Sequence, residues 1–465
     1  MDTRGQVNPS FSREWRVGWL ADLESLALKP TRLAELQASL GLDTLWLESG
    51  HYHTAGFKIS EALWRESPFL DWRQRPGLTR HFRARGLPEG AYPVLPGILA
   101  GADDTLLLAV IDAAKSLGVA VWGHLCFWSY GGMVYPELSV RDVGGRTISP
   151  EEDRWGAAFC PNKNNLNTWM RGCLEHSIAS YPLAGIEVDH ARYPPPGSLP
   201  NLFACACEDC ASQADTKGIN LKEIALDLVA RRKDVKQRPS ALIQSTLGRA
   251  EDPLDLLDRL LGGSLMSQWL DLRALFISEV LMEMTAAAHS VAQKPFSFGI
   301  DVFPPSVAIL GGHDYPTLKY LDYLTGSFGL IGWEQVGLST CKMWTRFLLR
   351  HWPDLEEQQV LKNLYRIFGY AGIPLPERLA GLERPDPQRA TQVVVREIER
   401  MASSRPAGPK VYPLVSLLVL GVQGVSEVYK ASMQNGLDGV MIAGLERLGP
   451  AELDQLASSW MQVGG

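Results

Sequence analysis

Eight short apolar runs, each followed by a segment long enough to cross back over a sheet, are the feature that most restricts what this chain can fold into. They cover residues 16–21 (RVGWLA), 44–47 (TLWL), 119–125, 184–189 (AGIEVD), 296–302 (FSFGIDV), 323–333, 411–420 and 439–443. Parallel strands cannot be joined by hairpins and need crossovers, usually helices. Segments of helical period supply them at 30–40, 103–117, 165–180, 221–293, 426–434 and 451–461. An α/β fold follows, and a count of eight favours a closed (β/α)8 barrel with long loops over an open doubly wound sheet. No GxGxxG or GxxxxGK(S/T) phosphate loop follows an early strand to argue for the open form. The 465 residues are therefore expected to form one elaborated barrel, 1–465, with a helical insertion at 211–293 between the fourth and fifth strands. The sixth run is the weakest, because glycines interrupt it.

Charge removes several classes of partner. The net charge is −7 and no long basic run occurs, so nothing attracts nucleic acid or an anionic membrane surface. The N-terminal stretch MDTRGQVNPSFSREWRVGW has no apolar core of the signal-peptide kind, and no run reaches the ~18 apolar residues of a membrane span. A cytoplasmic protein is the expectation, with homo-oligomerisation left open. The chain holds 14 Trp, 13 Tyr and 14 Phe. Indole carries an N–H that must find a partner, so part of this complement suits a flat, polar ligand such as a sugar, the expected partner.

In a (β/α)8 barrel the reactive groups sit where strands end. The first run offers Asp22 and Glu24, the second Glu48 followed by His51 and His53. The third offers Trp122, His124, Trp128 and Tyr130, the fourth Glu187, Asp189, His190, Arg192 and Tyr193. Asp301 closes the fifth, Trp333 and Glu334 the sixth, and Glu446 follows the eighth. Carboxylates mixed with Trp, Tyr and His suit hydrolysis of a glycosidic bond, which needs one carboxylic acid to protonate the leaving oxygen and a second carboxylate as nucleophile or base. Asp189 leads: strand alternation points it the same way as Glu187, and Arg192 is near enough to hold its charge. A plain ion pair with Arg192 is the competing role for Asp189, and a turn-capping role before the Pro pair competes for Asp301. Glu334, beside an indole, is placed for a raised pKa and an acid's role. Glu48, His51, His53, Trp122, His124, Trp128, Tyr130, His190, Arg192 and Trp333 are the expected substrate contacts. Two other readings stay open, a metal-assisted sugar lyase or isomerase using His124 and His190, and a carbohydrate-binding barrel without catalysis.

The cysteines form the sharpest local pattern. Cys205, Cys207 and Cys210 make a CxCxxC in FACACEDCAS, and Cys160 lies upstream in AFCPNKNN. Four thiolates would close a tetrahedral, structural Zn²⁺ site that pins the loop after the fourth strand. The competing reading is free thiols, which clustered in a loop are prone to oxidation. No organic cofactor is expected. Cys126, Cys173 and Cys341 read as ordinary buried residues.

Cys160 with the CxCxxC resembles the zinc-binding cysteine cluster of family 42 β-galactosidases, and FCPN matches the segment that supplies their fourth thiol. Those enzymes carry an Asn-Glu pair at the end of strand four where this chain has Asp189-His190, so their catalytic assignment does not transfer. GIEVDHARYP is similar to the strand-four signature DGxDxDxEYP of chitinase-like barrels, with Ala191 and Arg192 where the acid would stand. Taken in order, the segment at 51–57, the CPN segment, the RYP after strand four, the Cys-rich loop and the stretch at 301–318 resemble a group of bacterial glycosidase-like TIM-barrel proteins. That resemblance implies a barrel fold and a glycoside hydrolase. Acids on strands four and six also resemble retaining α-galactosidase-type barrels, which implies Asp189 as nucleophile and Glu334 as acid/base, with Asp301 in reserve for either.

Overall fold

The structure is a computed structural model, and it describes residues 15–29, 31–48, 57–71, 74–76, 98–100, 103–128, 131–148, 158–293, 295–329 and 336–461. Ten strands are present among them: β1 (Arg16–Asp22), β2 (Thr44–Glu48), β3 (Phe57–Ile59), β4 (Ile98–Ala100), β5 (Ala120–Cys126), β6 (Gly185–Asp189), β7 (Ser297–Val302), β8 (Tyr323–Gly329), β9 (Lys410–Ser416) and β10 (Gly439–Ala443). Eight of them close a parallel barrel in the order β1-β2-β5-β6-β7-β8-β9-β10, sealed where Arg16 to Leu20 of β1 run alongside Gly439 to Ala443 of β10. The (β/α)8 barrel expected from the pattern of runs is thus the observed fold. The remaining two, β3 and β4, form a small parallel pair in the excursion after β2, and Phe57 packs edge-on against Tyr181 at a ring separation of 5.3 Å.

Most of the expected strands fall within a residue or two of the observed ones, and one run does not. β8 begins at Tyr323 with the sixth run and is described as far as Gly329, while Trp333 lies outside the described residues. The run at 411–420 divides into β9 and the start of a helix, Leu417–Gln434, because Leu417, Val419 and Leu420 are buried by a helical turn instead of a strand. A continuous apolar run reads the same in either conformation.

Inside the barrel, alternate residues stack into a plug. Leu20, Trp46, Trp122, Tyr323, Tyr412, Leu414 and Met441 form an apolar cluster separate from the outer core, with Trp46 and Trp122 at 4.7 Å and Trp122 and Tyr323 at 4.3 Å between ring centres. So many large rings fit only because neighbouring interior positions carry no side chain. A Cβ at Gly18 would stand 1.8 Å from the Trp46 ring, and one at Gly299 would stand 2.5 Å from the Tyr323 ring. This corrects the expectation for Trp122. It lies early in β5, below the mouth, with Arg16 of the opposite end over its ring at 5.3 Å, and it fills the barrel instead of meeting a ligand. Trp128 is likewise 1% exposed, packed in the outer core with its indole N–H donated to Asn167 Oδ1 at 2.8 Å.

Between β6 and β7 the chain inserts the helices Glu208–Asp215, Leu221–Lys236, Ser240–Arg249 and Pro253–Leu261. The helix that follows, Leu265–Val291, packs on Asn164–Ser180 and is the barrel's own crossover. By length and composition it is apolar enough to cross a membrane, contrary to the sequence expectation. It carries Arg273, 1% exposed, whose guanidinium donates to Leu202 O at 2.9 Å, alongside the Trp269 indole at 2.8 Å. These contacts tie it to the loop after β6 as a layer of the barrel.

Candidate active site

Strand alternation carries polar side chains to the C-terminal end of β5 through β8. His124 and Cys126 come from β5, Glu187 and Asp189 from β6, Asp301 from β7, and Thr325 and Ser327 from β8. The register sets His124 beside Glu187 and Cys126 beside Asp189, and it sets Asp301 beside Thr325. Of these, His124, Asp189, Asp301 and Ser327 form one wall of a cavity of about 330 Å³; Leu20, Leu414, Leu418, Ala443 and Glu446 contribute to the other. β10 lies four strands from β6 in the ring, so Glu446, just past β10, faces Asp189 across the mouth.

Asp301 and Asp189 are hydrogen-bonded to each other. Burial pushes the Asp301 carboxyl well above the ordinary range, and the neighbouring Asp189 charge pushes the same way against the opposing pull of Arg192 and the Ser327 hydroxyl. Ser327 donates to Asp301 Oδ1 at 2.5 Å. Of the two, Asp301 is the member that burial and its neighbour drive toward the protonated form. Asp189 is the more accessible member and accepts from the His190 backbone N–H at 2.6 Å. His190 Nδ1 stands 3.2 Å and Arg192 Nη2 3.9 Å from the same carboxylate. Arg192 lies over the Phe303 ring at 4.3 Å. Deeper in the barrel, Glu187 is fully buried with His124 Nε2 at 3.4 Å. Burial raises its pKa well above the usual range, and the neighbouring acids Asp301 and Asp189 push the same way.

The loops bearing these groups are braced. His190 adopts a left-handed backbone with φ of 58°, uncommon for a residue other than glycine, and this turn aims its N–H back at Asp189. The buried His313 accepts from Phe303 N at 3.3 Å through Nδ1 and donates to Ala191 O at 3.0 Å through Nε2. One ring thus joins the residue two past Asp301 to the residue two past Asp189. Burial lowers the His313 pKa to about 3, so the ring is neutral, as this pattern of one acceptor and one donor nitrogen requires.

Of the residues expected from sequence, Asp189, Asp301, His124, His190 and Arg192 come together here. Glu48 ends β2 in register with His124. His51, His53, Tyr130, Trp333 and Glu334 lie outside the described residues. Sequence reasoning missed Ser327, hidden in the glycine-interrupted β8, although it follows Tyr323 and Thr325 at alternate positions. It also took Cys126 as ordinary, whereas its Sγ stands 3.8 Å from Asp189 Oδ2.

The four-cysteine cluster is assembled as the spacing implied. Cys160, Cys205, Cys207 and Cys210 are all buried, and their sulfurs lie within 4.8 Å of one another. Cys160 Sγ is 3.5 Å from Cys207 Sγ and 3.4 Å from Cys210 Sγ. A tetrahedral Zn²⁺ with bonds of about 2.3 Å needs sulfurs about 3.8 Å apart, so the set fits. The surroundings suit thiolates. Arg141 N reaches Cys205 Sγ at 3.2 Å, Asn162 N reaches Cys160 Sγ at 3.4 Å, and Asn162 Nδ2 reaches Cys210 Sγ at 3.2 Å.

No family model matches the chain, and no curated protein matches it either. Among solved structures, the PgaB (BpsB) glycoside hydrolase domain from Bordetella bronchiseptica is similar in fold, with a TM-score of 0.50 at 10% identity over 96% of this chain and 99% of that one. The catalytic domain of a β-amylase from Paenibacillus polymyxa has a TM-score of 0.49 at 12% identity, over 97% of both chains. The first likeness agrees with the (β/α)8 barrel.

Proposed function

We propose that this chain is a glycoside hydrolase that cleaves an oligosaccharide or glycoside at the mouth defined by β5 to β8. The observation that carries this reading is the Asp301–Asp189 pair, hydrogen-bonded carboxyls beside an open cavity on the barrel's C-terminal face. Two carboxyls in hydrogen-bond contact are closer than the ~5 Å separation of a nucleophile and its acid partner. They therefore act as one unit. Asp189, turned toward the cavity, is the nucleophile; Asp301 is a positioning group that donates to it. The acid/base is Glu334, which follows β8 in the chain, and Glu446 on the facing wall binds a sugar hydroxyl. Asp189 attacks the anomeric carbon while Glu334 protonates the departing oxygen, and Glu334 then takes the proton from the water that releases the product.

A panel of aryl glycosides assayed with the parent, Asp189→Asn and Glu334→Gln proteins tests this. Asp189→Asn should lose turnover on every substrate, by at least ~10³-fold. Glu334→Gln should lose about 10²–10⁴ on poor leaving groups and far less on a dinitrophenyl glycoside, which needs no protonation. Unchanged turnover in Asp189→Asn overturns the reading. A second reading, a metal-assisted sugar lyase or isomerase, is favoured by one observation: Cys126, Asp189 and His190 offer ligand atoms within 4.8 Å of one another. Turnover abolished by a chelator and restored by a divalent cation would select it.

Cys160, Cys205, Cys207 and Cys210 hold a structural Zn²⁺ in this proposal. With four thiolates and no open position the ion supplies no catalysis. It locks the loop that leads out of β6.

A further inference from the structure

A second cavity lies away from the barrel mouth, between the helical insertion and the barrel's outer layer. It measures about 290 Å³, at the lower edge of the ~300–1,000 Å³ of small-molecule pockets. Its walls come from the loop after β6, from the inserted helices Leu221–Lys236 and Pro253–Leu261, and from the helix Val336–His351. Leucines and aromatic rings make most of it. The two tryptophans in the wall spend their N–H groups elsewhere, Trp344 on Pro196 O at 2.9 Å and Trp352 on Arg238 O at 2.8 Å. Both therefore offer the cavity only carbon surface. The charges in the lining are of a single sign: Arg146, Arg232 and Lys236 stand among the lining residues and no carboxylate does, in a chain whose net charge is −7. Arg146 already answers Asp142 at 3.4 Å. Arg232 lies over the Phe203 ring at 4.2 Å, a cation–π contact that places its charge beside the apolar wall.

An apolar cleft with a cationic rim complements a molecule that is apolar along its length and anionic at one end. We propose that this cavity binds a medium-chain aliphatic carboxylate, with the chain between Leu257 and Trp352 and the carboxylate against Arg232 and Lys236. The hydrocarbon supplies affinity by leaving water, and the planar guanidinium supplies selection for the carboxylate. The site is independent of the glycosidase reading. Because Leu199 to Phe203 of its wall lead directly into Cys205, an occupant also rests on the loop that the cysteine cluster anchors.

Isothermal titration of the full chain with decanoate, 1-decanol and decyltrimethylammonium tests the proposal. The expected result is saturable binding of decanoate at one site per chain, with the alcohol weaker and the cation weakest. Arg232→Ala should weaken decanoate by roughly tenfold or more while leaving decanol unchanged. Leu260→Trp, which fills the cleft from its rim, should abolish both. Circular dichroism and retained thermal unfolding certify that each variant is folded. Absence of saturable decanoate binding to the parent protein overturns the proposal, as does equal affinity for all three probes or a decanoate affinity indifferent to both substitutions.

Discussion

Replacing Asp301 by Asn isolates the proton that the acid pair holds. The exchange keeps the shape and both hydrogen bonds: an amide N–H can still donate to Asp189, and an amide oxygen can still accept from Ser327. Only proton uptake is lost. In the parent protein the Asp301 carboxyl is raised well above its ordinary value, chiefly by burial at 2% exposure. In the unfolded chain it returns to about 3.9. Between those two values the folded state holds one more proton than the unfolded state. The stabilising contribution is thus fully present near pH 4 and is lost as pH rises through the folded value, at about 1.4 kcal/mol per pH unit. Glu187 shifts in the same direction and adds a second slope of the same sign. Asp301→Asn should therefore flatten the fall of unfolding free energy with pH by about 1.4 kcal/mol per unit, and make the variant more stable than the parent near neutrality. Urea unfolding at close pH intervals from about 4 upward, with refolding verified, measures it. Turnover should fall in the same variant, because an amide donates a weaker hydrogen bond to the nucleophile. An unchanged slope would refute the assignment of the proton to Asp301.

Metal analysis of purified protein should find about one zinc per chain, and Cys160→Ser or Cys210→Ser should lose it together with thermal stability; a metal-free parent of equal stability would reject the site. Gly299→Ala drives a Cβ to within 2.5 Å of the buried Tyr323 ring and should cost about 1–3 kcal/mol or more by overpacking, read as a lowered unfolding midpoint. Trp122→Phe should lower stability through the plug without changing KM for any sugar; a raised KM would return Trp122 to the ligand. His313→Ala removes the link between the loops after β6 and β7 and should lower kcat about tenfold with a smaller effect on KM, since it misplaces Asp189 without touching substrate.

The barrel was legible because period-two and period-3.6 patterns are local. GIEVD announces a strand, and its alternation puts Glu187 and Asp189 on one face without any knowledge of the rest. CxCxxC announces a thiol cluster for the same reason, since three of its four cysteines are neighbours. The reading failed where one residue type serves two environments. Trp122 lies in an apolar run and Trp128 just past its end, as a sugar platform would, yet one is barrel filling and the other outer core. What separates these roles is height along the strand and the side chain facing it, such as the empty Cβ positions of Gly18 and Gly299.

The sequence alone determined that this chain closes eight parallel strands, that acids gather at their ends, and that four thiols converge after β6. Each follows from short-range periodicity or spacing. Only the tertiary structure decided which acids touch. Asp189 and Asp301 are more than a hundred residues apart in the chain and meet because β6 and β7 are neighbours in the barrel, where burial drives Asp301 toward its protonated form. Charge state depends on burial and on distance through space, and neither is written in the order of residues.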